Sequence, residues 1–152
     1  MSTPARLLPA TDDPQTAAFW QGTKAGEIRA QRCDACGYLR WPPAPICPEC
    51  QSDASTWVGL NPRGTLLSYC VYHRALDPAF RDEIPYAVGY VQLDDGPRMY
   101  GQLDGPIDGL EVGQQVSAVF RPASPDVTLV RWTTASAVQS PRPADGTDHH
   151  DA

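Results

Sequence analysis

No segment of this sequence is basic, none is long and apolar, and histidine is nearly absent. Twelve Lys/Arg stand against eighteen Asp/Glu, a net charge of −6. The acidity is spread along the chain: residues 1–57 carry five basic and six acidic side chains, residues 58–132 six and nine, and the last twenty one and three. The long-range positive field that draws proteins onto phosphate backbones is missing, so no nucleic-acid partner is expected. A local basic groove stays compatible with this, because net charge does not describe distribution. The longest uncharged, largely apolar stretch runs ten residues from Ile84 to Leu93 and is broken by Pro85 and Gly89. A bilayer crossing takes about 20, so no membrane span is expected. Met1 to Ala10 has one arginine and no apolar signal-peptide core, which gives a cytoplasmic expectation.

Catalytic signatures are equally scarce. There is no GxSxG elbow, no HExxH and no phosphate-cradling GxxxxGK[ST]. His73 is the one histidine outside the C-terminal tail, and a general base needs a positioned partner that the sequence does not supply. A structural or contact role is the stronger reading of His73, and no catalytic residue is assigned. Sixteen prolines and twelve glycines also leave little room for helix, so short strands joined by many turns are expected.

Cysteine is present in a telling pattern. Cys33-Asp-Ala-Cys36 and Cys47-Pro-Glu-Cys50 give a C-x2-C-x10-C-x2-C spacing. Each CxxC forms a tight knuckle aiming two sulfurs at one point, and two facing knuckles complete a tetrahedron of thiolates. Zinc accepts that geometry without electronic preference. A reducing cytoplasm favours metal over disulfide. A rubredoxin-type iron centre and paired redox thiols are the alternatives. A closed four-cysteine shell has no open position for water or substrate, so the metal is structural, holding a ribbon of about thirty residues too small for its own core. Gly37 follows the first knuckle, where a left-handed residue is needed; Gln51 stands at the equivalent place in the second. Cys70, in Ser68-Tyr-Cys-Val-Tyr72, reads as a lone buried thiol.

Along the chain, Asp13-Pro14 predicts a helix start and Gly26 its end. Phe19 and Trp20 on this helix are adjacent and so point differently: packing is the favoured reading, with contact to a partner or ligand as the other. Glu27 to Arg32 alternates like an exposed-edge strand, and Ser55 to Val58 returns as the ribbon's last strand. Asn61-Pro-Arg-Gly64 is a turn signature between modules. Five strands follow: Thr65–Arg74, Ile84–Leu93, Arg98–Leu103, Gln115–Arg121 and Val127–Trp132. Asp94-Asp95-Gly96 makes a hairpin of the second and third. The glycine-rich link from Asp104 to Gly113 is expected to be a loop. A small barrel, with the OB-fold as the leading option, is the expected second module. The mainly β organisation is thus a leader and helix at 1–26, a rubredoxin-like zinc ribbon at 27–60, a five-stranded OB-fold at 61–135 and a disordered tail at 136–152 that includes His149 and His150. The long excursion Asp77 to Pro85, with Phe80 among charges, is the expected partner-contact loop.

The strings Phe19-Trp20, Gln31-Arg32-Cys33-Asp-Ala-Cys36-Gly37, Pro42-Pro43, Cys47-Pro-Glu-Cys50, Trp57, Gly64-Thr65, Tyr72-His73-Arg74, Pro78-Ala79-Phe80, Pro85-Tyr86 and Glu111-Val-Gly113 fit this order. Together they closely resemble the zinc-ribbon/OB-fold family known as domain of unknown function 35, over roughly residues 14–132. Glycine is usual in that family where this chain has Gln51. The resemblance implies an accessory subunit that works with a thiolase-fold protein or a hydratase-like protein on acyl-CoA, in thiolytic or retro-aldol cleavage or acyl transfer, in settings that include lipid and steroid degradation. The candidates for contact with the partner or with CoA are Phe19, Trp20, His73, Arg74, Phe80 and Arg81. Arg63, Arg98 and Arg121 join Arg74 and Arg81 as possible phosphate ligands, since guanidinium groups suit bidentate anion contacts. A nucleic-acid-binding OB protein and an independent acyl-CoA hydrolase or acyltransferase are the competing readings.

Overall fold

The computed structural model describes residues 5–134. The expected tail at 136–152 lies outside the described residues. The order is α1 (Ala17–Lys24), β1 (Ile28–Cys33), β2 (Leu39–Arg40), β3 (Ser55–Leu60), β4 (Arg63–Tyr72), a 3-10 turn (Pro78–Phe80), β5 (Tyr86–Leu93), β6 (Arg98–Asp104), β7 (Gln115–Pro122) and β8 (Thr128–Thr134). No helix among the described residues is long and apolar enough to cross a membrane.

Helix α1 begins later than Asp13-Pro14 predicts. Asp13 closes a preceding turn instead: its carbonyl accepts from the Thr16 and Ala17 N–H groups, and its Oδ1 accepts from Gln15. The C-terminus follows the prediction. Gly26 is left-handed at φ 78°, its N–H reaches the Thr23 carbonyl, and Glu27 N–H reaches Gly22, the two bonds of a Schellman cap.

The ribbon is a three-stranded sheet in the order β2-β1-β3, with both pairs antiparallel. Strand β1 is therefore central, not an exposed edge. Alternation alone misled here, because the polar Gln31 is buried by its own hydrogen bonds (below). The second module is a closed barrel in the order β4-β5-β6-β8-β7, sealed by β4 against β7 and parallel only at β6–β8. It is the expected five-stranded OB-fold, and residues 105–114 carry no helix.

Two sequence details shape the barrel. Gly64 sits where β4 pairs with both β5 and β7, and a Cβ there would lie 2.3 Å from the Gln92 carbonyl oxygen. Leu67 is the extra residue of a bulge between the Leu66–Val91 and Ser68–Tyr90 pairs. Before it even-numbered side chains point inward; after it they point outward.

One apolar cluster spans both modules. Phe19, Ile28 and Ala30 join Leu66, Val91, Leu103, Val116 and the fully buried Trp132. Only Asn61 and Pro62 link β3 to β4, and Asn61 N–H donates to the Asp95 carboxylate of the β5–β6 turn at 2.6 Å. The turn signature thus marks a tight junction across which the core continues.

Candidate metal centre and its surroundings

The two CxxC segments fold as near copies. Gly37 N–H donates to the Cys33 carbonyl and Gln51 N–H to that of Cys47, each at 2.9 Å. Cys33 N–H reaches the Tyr38 carbonyl, and Cys47 N–H that of Ser52. Both exits are left-handed, φ 77° at Gly37 and 62° at Gln51. Gln51 therefore adopts the glycine-type conformation at a steric cost, and the second knuckle keeps its shape.

The four sulfurs all lie within 4.8 Å of one another. Cys33 and Cys50 approach to 3.5 Å and Cys36 and Cys47 to 3.7 Å. Sulfurs at about 2.3 Å from a tetrahedral zinc stand about 3.8 Å apart, so the donor set fits this ion. Cys33 and Cys47 are buried while Cys36 and Cys50 are exposed, which seats the site at the ribbon's edge.

Backbone amides prepare the thiolates. The Cys36 N–H, helped by that of Ala35 and opposed by burial, brings the Cys33 thiol down from 9.0 to about 6. At Cys47 burial resists ionisation, but the Cys50 and Glu49 N–H groups outweigh it and the thiol is lowered. At Cys36 the Tyr38 N–H favours the thiolate, yet Cys50, burial and the other thiols push the group up to about 12. Cys50 is likewise raised: the Ser52 N–H is outweighed, chiefly by Cys33. Each close pair thus joins one thiol that ionises more readily to one that ionises less readily, and a dication bound by all four as thiolates completes the shell. With four protein ligands no position is left for substrate.

Gln31 braces the ribbon beside the site. Its Oε1 accepts from Arg40 Nε at 2.7 Å and from Ala44 N–H at 3.0 Å, which pins the proline-rich crossing to β1. Arg40 is buried, and its two terminal amino groups have no partner among the described residues.

The other predicted residues separate. Phe19 is 4% exposed, edge-to-face on Trp20 and 4.1 Å from Trp41, so it packs in the core. Trp20 is half-buried. His73, Arg74 and Arg81 are exposed on the β4–β5 connection. Phe80 lies on that connection too, half-buried, against Tyr86 and beneath the Arg6 guanidinium, 4.1 Å from its ring centre. Cys70 is exposed, contrary to expectation. The bulge at Leu67 turns it to the outer face, opposite Val88 and near Tyr72, Tyr90 and Tyr100. Arg6 and Arg131 drew no notice in the sequence. They join Glu83, Asp104 and Arg121 in an alternating ion network that no local pattern announces.

Residues 20–56 match the family model of the ChsH2 rubredoxin-like zinc ribbon domain and residues 57–121 that of the ChsH2 C-terminal OB-fold domain. The chain is 38% identical over 128 residues to a probable enoyl-CoA hydratase alpha subunit of Thermomonospora curvata, covering 83% of this chain and 40% of that protein. It thus spans well under half the length of that relative. Over 82 residues it is 32% identical to the benzoylsuccinyl-CoA thiolase subunit BbsA of Thauera aromatica, covering 54% of this chain and 55% of that one. Among solved structures, a chain of the Ltp2-ChsH2(DUF35) aldolase superposes with a TM-score of 0.75 at 34% identity, covering 84% of this chain and 99% of that one. A zinc ribbon followed by an OB-fold is the order of the two matching family models: the chain belongs to the DUF35 family of ChsH2-type zinc-ribbon/OB-fold proteins.

Proposed function

We propose that this chain is a non-catalytic accessory subunit. It docks on a thiolase-fold protein and supports that partner's conversion of an acyl-CoA, by thiolytic or retro-aldol cleavage or by acyl transfer. The superposition on a chain of the Ltp2-ChsH2(DUF35) aldolase, over 99% of that chain's length, carries this reading. The names of the thiolase subunit and the hydratase subunit point to acyl-CoA, and the latter makes a hydratase-like protein a second candidate partner. The closed thiolate shell supports it too: a metal with four protein ligands fastens and does not react. The nucleophile or base then belongs to the partner. Trp20, His73, Arg74, Phe80 and Arg81 are the proposed contacts. Reducing cytoplasm, where thiols stay available to metal, is the fitting compartment.

The test is co-expression with a thiolase-fold protein from the same organism, followed by light scattering on the purified material. A stable heteromer is expected, with acyl-CoA turnover that needs both chains. A monomer that never captures that protein would overturn the proposal.

A further inference from the structure

The ribbon sheet has one guarded edge and one open edge. Strand β2, at the first, is two residues long and runs into Trp41-Pro42-Pro43, so it offers little to an incoming strand. Strand β3, at the second, is six residues long and pairs only with β1 among the described residues. An antiparallel pair uses the groups on one side of each strand, so about half the N–H and C=O groups of β3 face away from β1. Among the described residues, no hydrogen bond outside the β1 pairing engages the backbone of residues 55–60. Natural sheets guard such an edge with lysine, proline or a bulge. Ser55-Thr-Trp-Val-Gly-Leu60 has no charge and no proline, and its register with β1 is unbroken over six pairs.

Gly59 is a second, independent observation. It is exposed, its φ lies outside the left-handed region, and a Cβ there would meet nothing within 4 Å. Neither packing nor backbone conformation within this chain therefore asks for glycine, although glycine weakens a strand. Close approach of another backbone is the remaining physical reason for one inside a strand. Trp57 stands two residues away, half-buried against the apolar cluster that joins ribbon and barrel. A partly open tryptophan beside unpaired backbone has the make-up of an interface anchor.

We propose that β3 receives an extended, uncharged segment of the thiolase-fold partner as a fourth strand of the ribbon sheet, passing close to Gly59 with a side chain against Trp57. This rests on the accessory-subunit reading above and gives it a docking edge. Backbone pairing supplies affinity, and the contact on Trp57 supplies the choice of segment. A second copy of this chain suits the edge less well. Two copies each carry a net charge of −6 and repel. One six-residue pairing, about 20 Å long, is also short for a dimer with no other contact. A larger protein brings further contacts, and its uncharged strand matches an uncharged edge.

Hydrogen exchange by mass spectrometry tests this on the full chain, alone and in the heteromer with the co-expressed thiolase-fold protein. Residues 55–60 are expected to exchange roughly tenfold more slowly, or slower still, in the heteromer. Gly59→Lys puts a charge on the edge in space that no atom of the described residues fills. It should weaken capture of the partner roughly tenfold with zinc content unchanged. Thr56→Lys, exposed on the same strand, should do the same and gives the result if the first variant loses zinc. Val112→Lys adds an equal charge at a 65% exposed position far from the ribbon in sequence and should capture the partner as the unaltered chain does. A heteromer in which residues 55–60 exchange as in the free chain would overturn this inference and leave the accessory-subunit reading standing. So would unchanged capture by both β3 variants, or a loss with Val112→Lys as large as theirs. A dimer of the isolated chain that Gly59→Lys splits would assign the edge to a second copy and overturn it too. If the unaltered chain forms no heteromer, the accessory-subunit reading fails and this inference falls with it.

Discussion

Ribbon and barrel solve the same problem by different means. The ribbon contributes few buried apolar side chains, Ile28, Ala30 and Leu60 among them, covered by Phe19 of α1, and gathers its two knuckles around four sulfurs. The barrel closes on itself and fills its interior with Leu66, Val91, Leu93, Met99, Leu103, Val116 and Trp132. A metal can replace a core where the chain is short, because its binding energy counts as folding energy. Burial suffices where strands close a barrel and leave no open edge. The shared cluster through Phe19 and Ile28 joins the two without making them equally dependent on metal.

Removing the metal should separate them most sharply. Chelation, or Cys47→Ser, should release zinc and cost several kcal/mol within the ribbon. Hydrogen exchange followed by mass spectrometry should show β1–β3 losing protection while β4–β8 keep theirs. Equal loss throughout would mean that the barrel too depends on the metal. Acid should do the same by a different route. Cys33 is lowered from 9.0 to about 6, so its thiolate contribution is complete above 9.0 and is lost as the pH falls through about 6. Zinc retention against a competing chelator should therefore collapse below about pH 6, with the barrel's circular dichroism unchanged.

The converse experiment acts on the barrel. Trp132 is fully buried, and Trp132→Ala should cost about 3–5 kcal/mol in chemical denaturation while the ribbon still binds one zinc. Gly64→Ala, whose Cβ meets a backbone oxygen, should cost about 1–3 kcal/mol by the same measurement. The smallest effect is on the second knuckle. Gln51→Gly relieves a left-handed residue and should raise ribbon stability by up to about 1 kcal/mol, read as a higher thermal midpoint with unchanged metal content.

Local chemistry was legible from the residues. The CxxC pairs, the left-handed positions at Gly37 and Gly26, the Asp94–Gly96 turn and five strands with a helix-free link all lie where their neighbours in sequence put them. Helix α1 was found but its start was misplaced, because Asp13 spends its acceptors on a turn ahead of the helix. Cys70 was misread because a single bulge three residues earlier reverses which side of β4 faces inward, and a bulge depends on the partner strand. Strand β1 was misread because its neighbour β3 lies more than twenty residues away and covers it.

The sequence by itself determined the four-cysteine ligand set and the strand succession, since each depends on spacings of a few residues. Tertiary structure alone decided the rest. Arg6, Glu83, Asp104, Arg121 and Arg131 are scattered over more than a hundred residues, and only barrel closure brings them into one network. Charges converge through strand register and loop path, and neither is written in the residues that carry those charges.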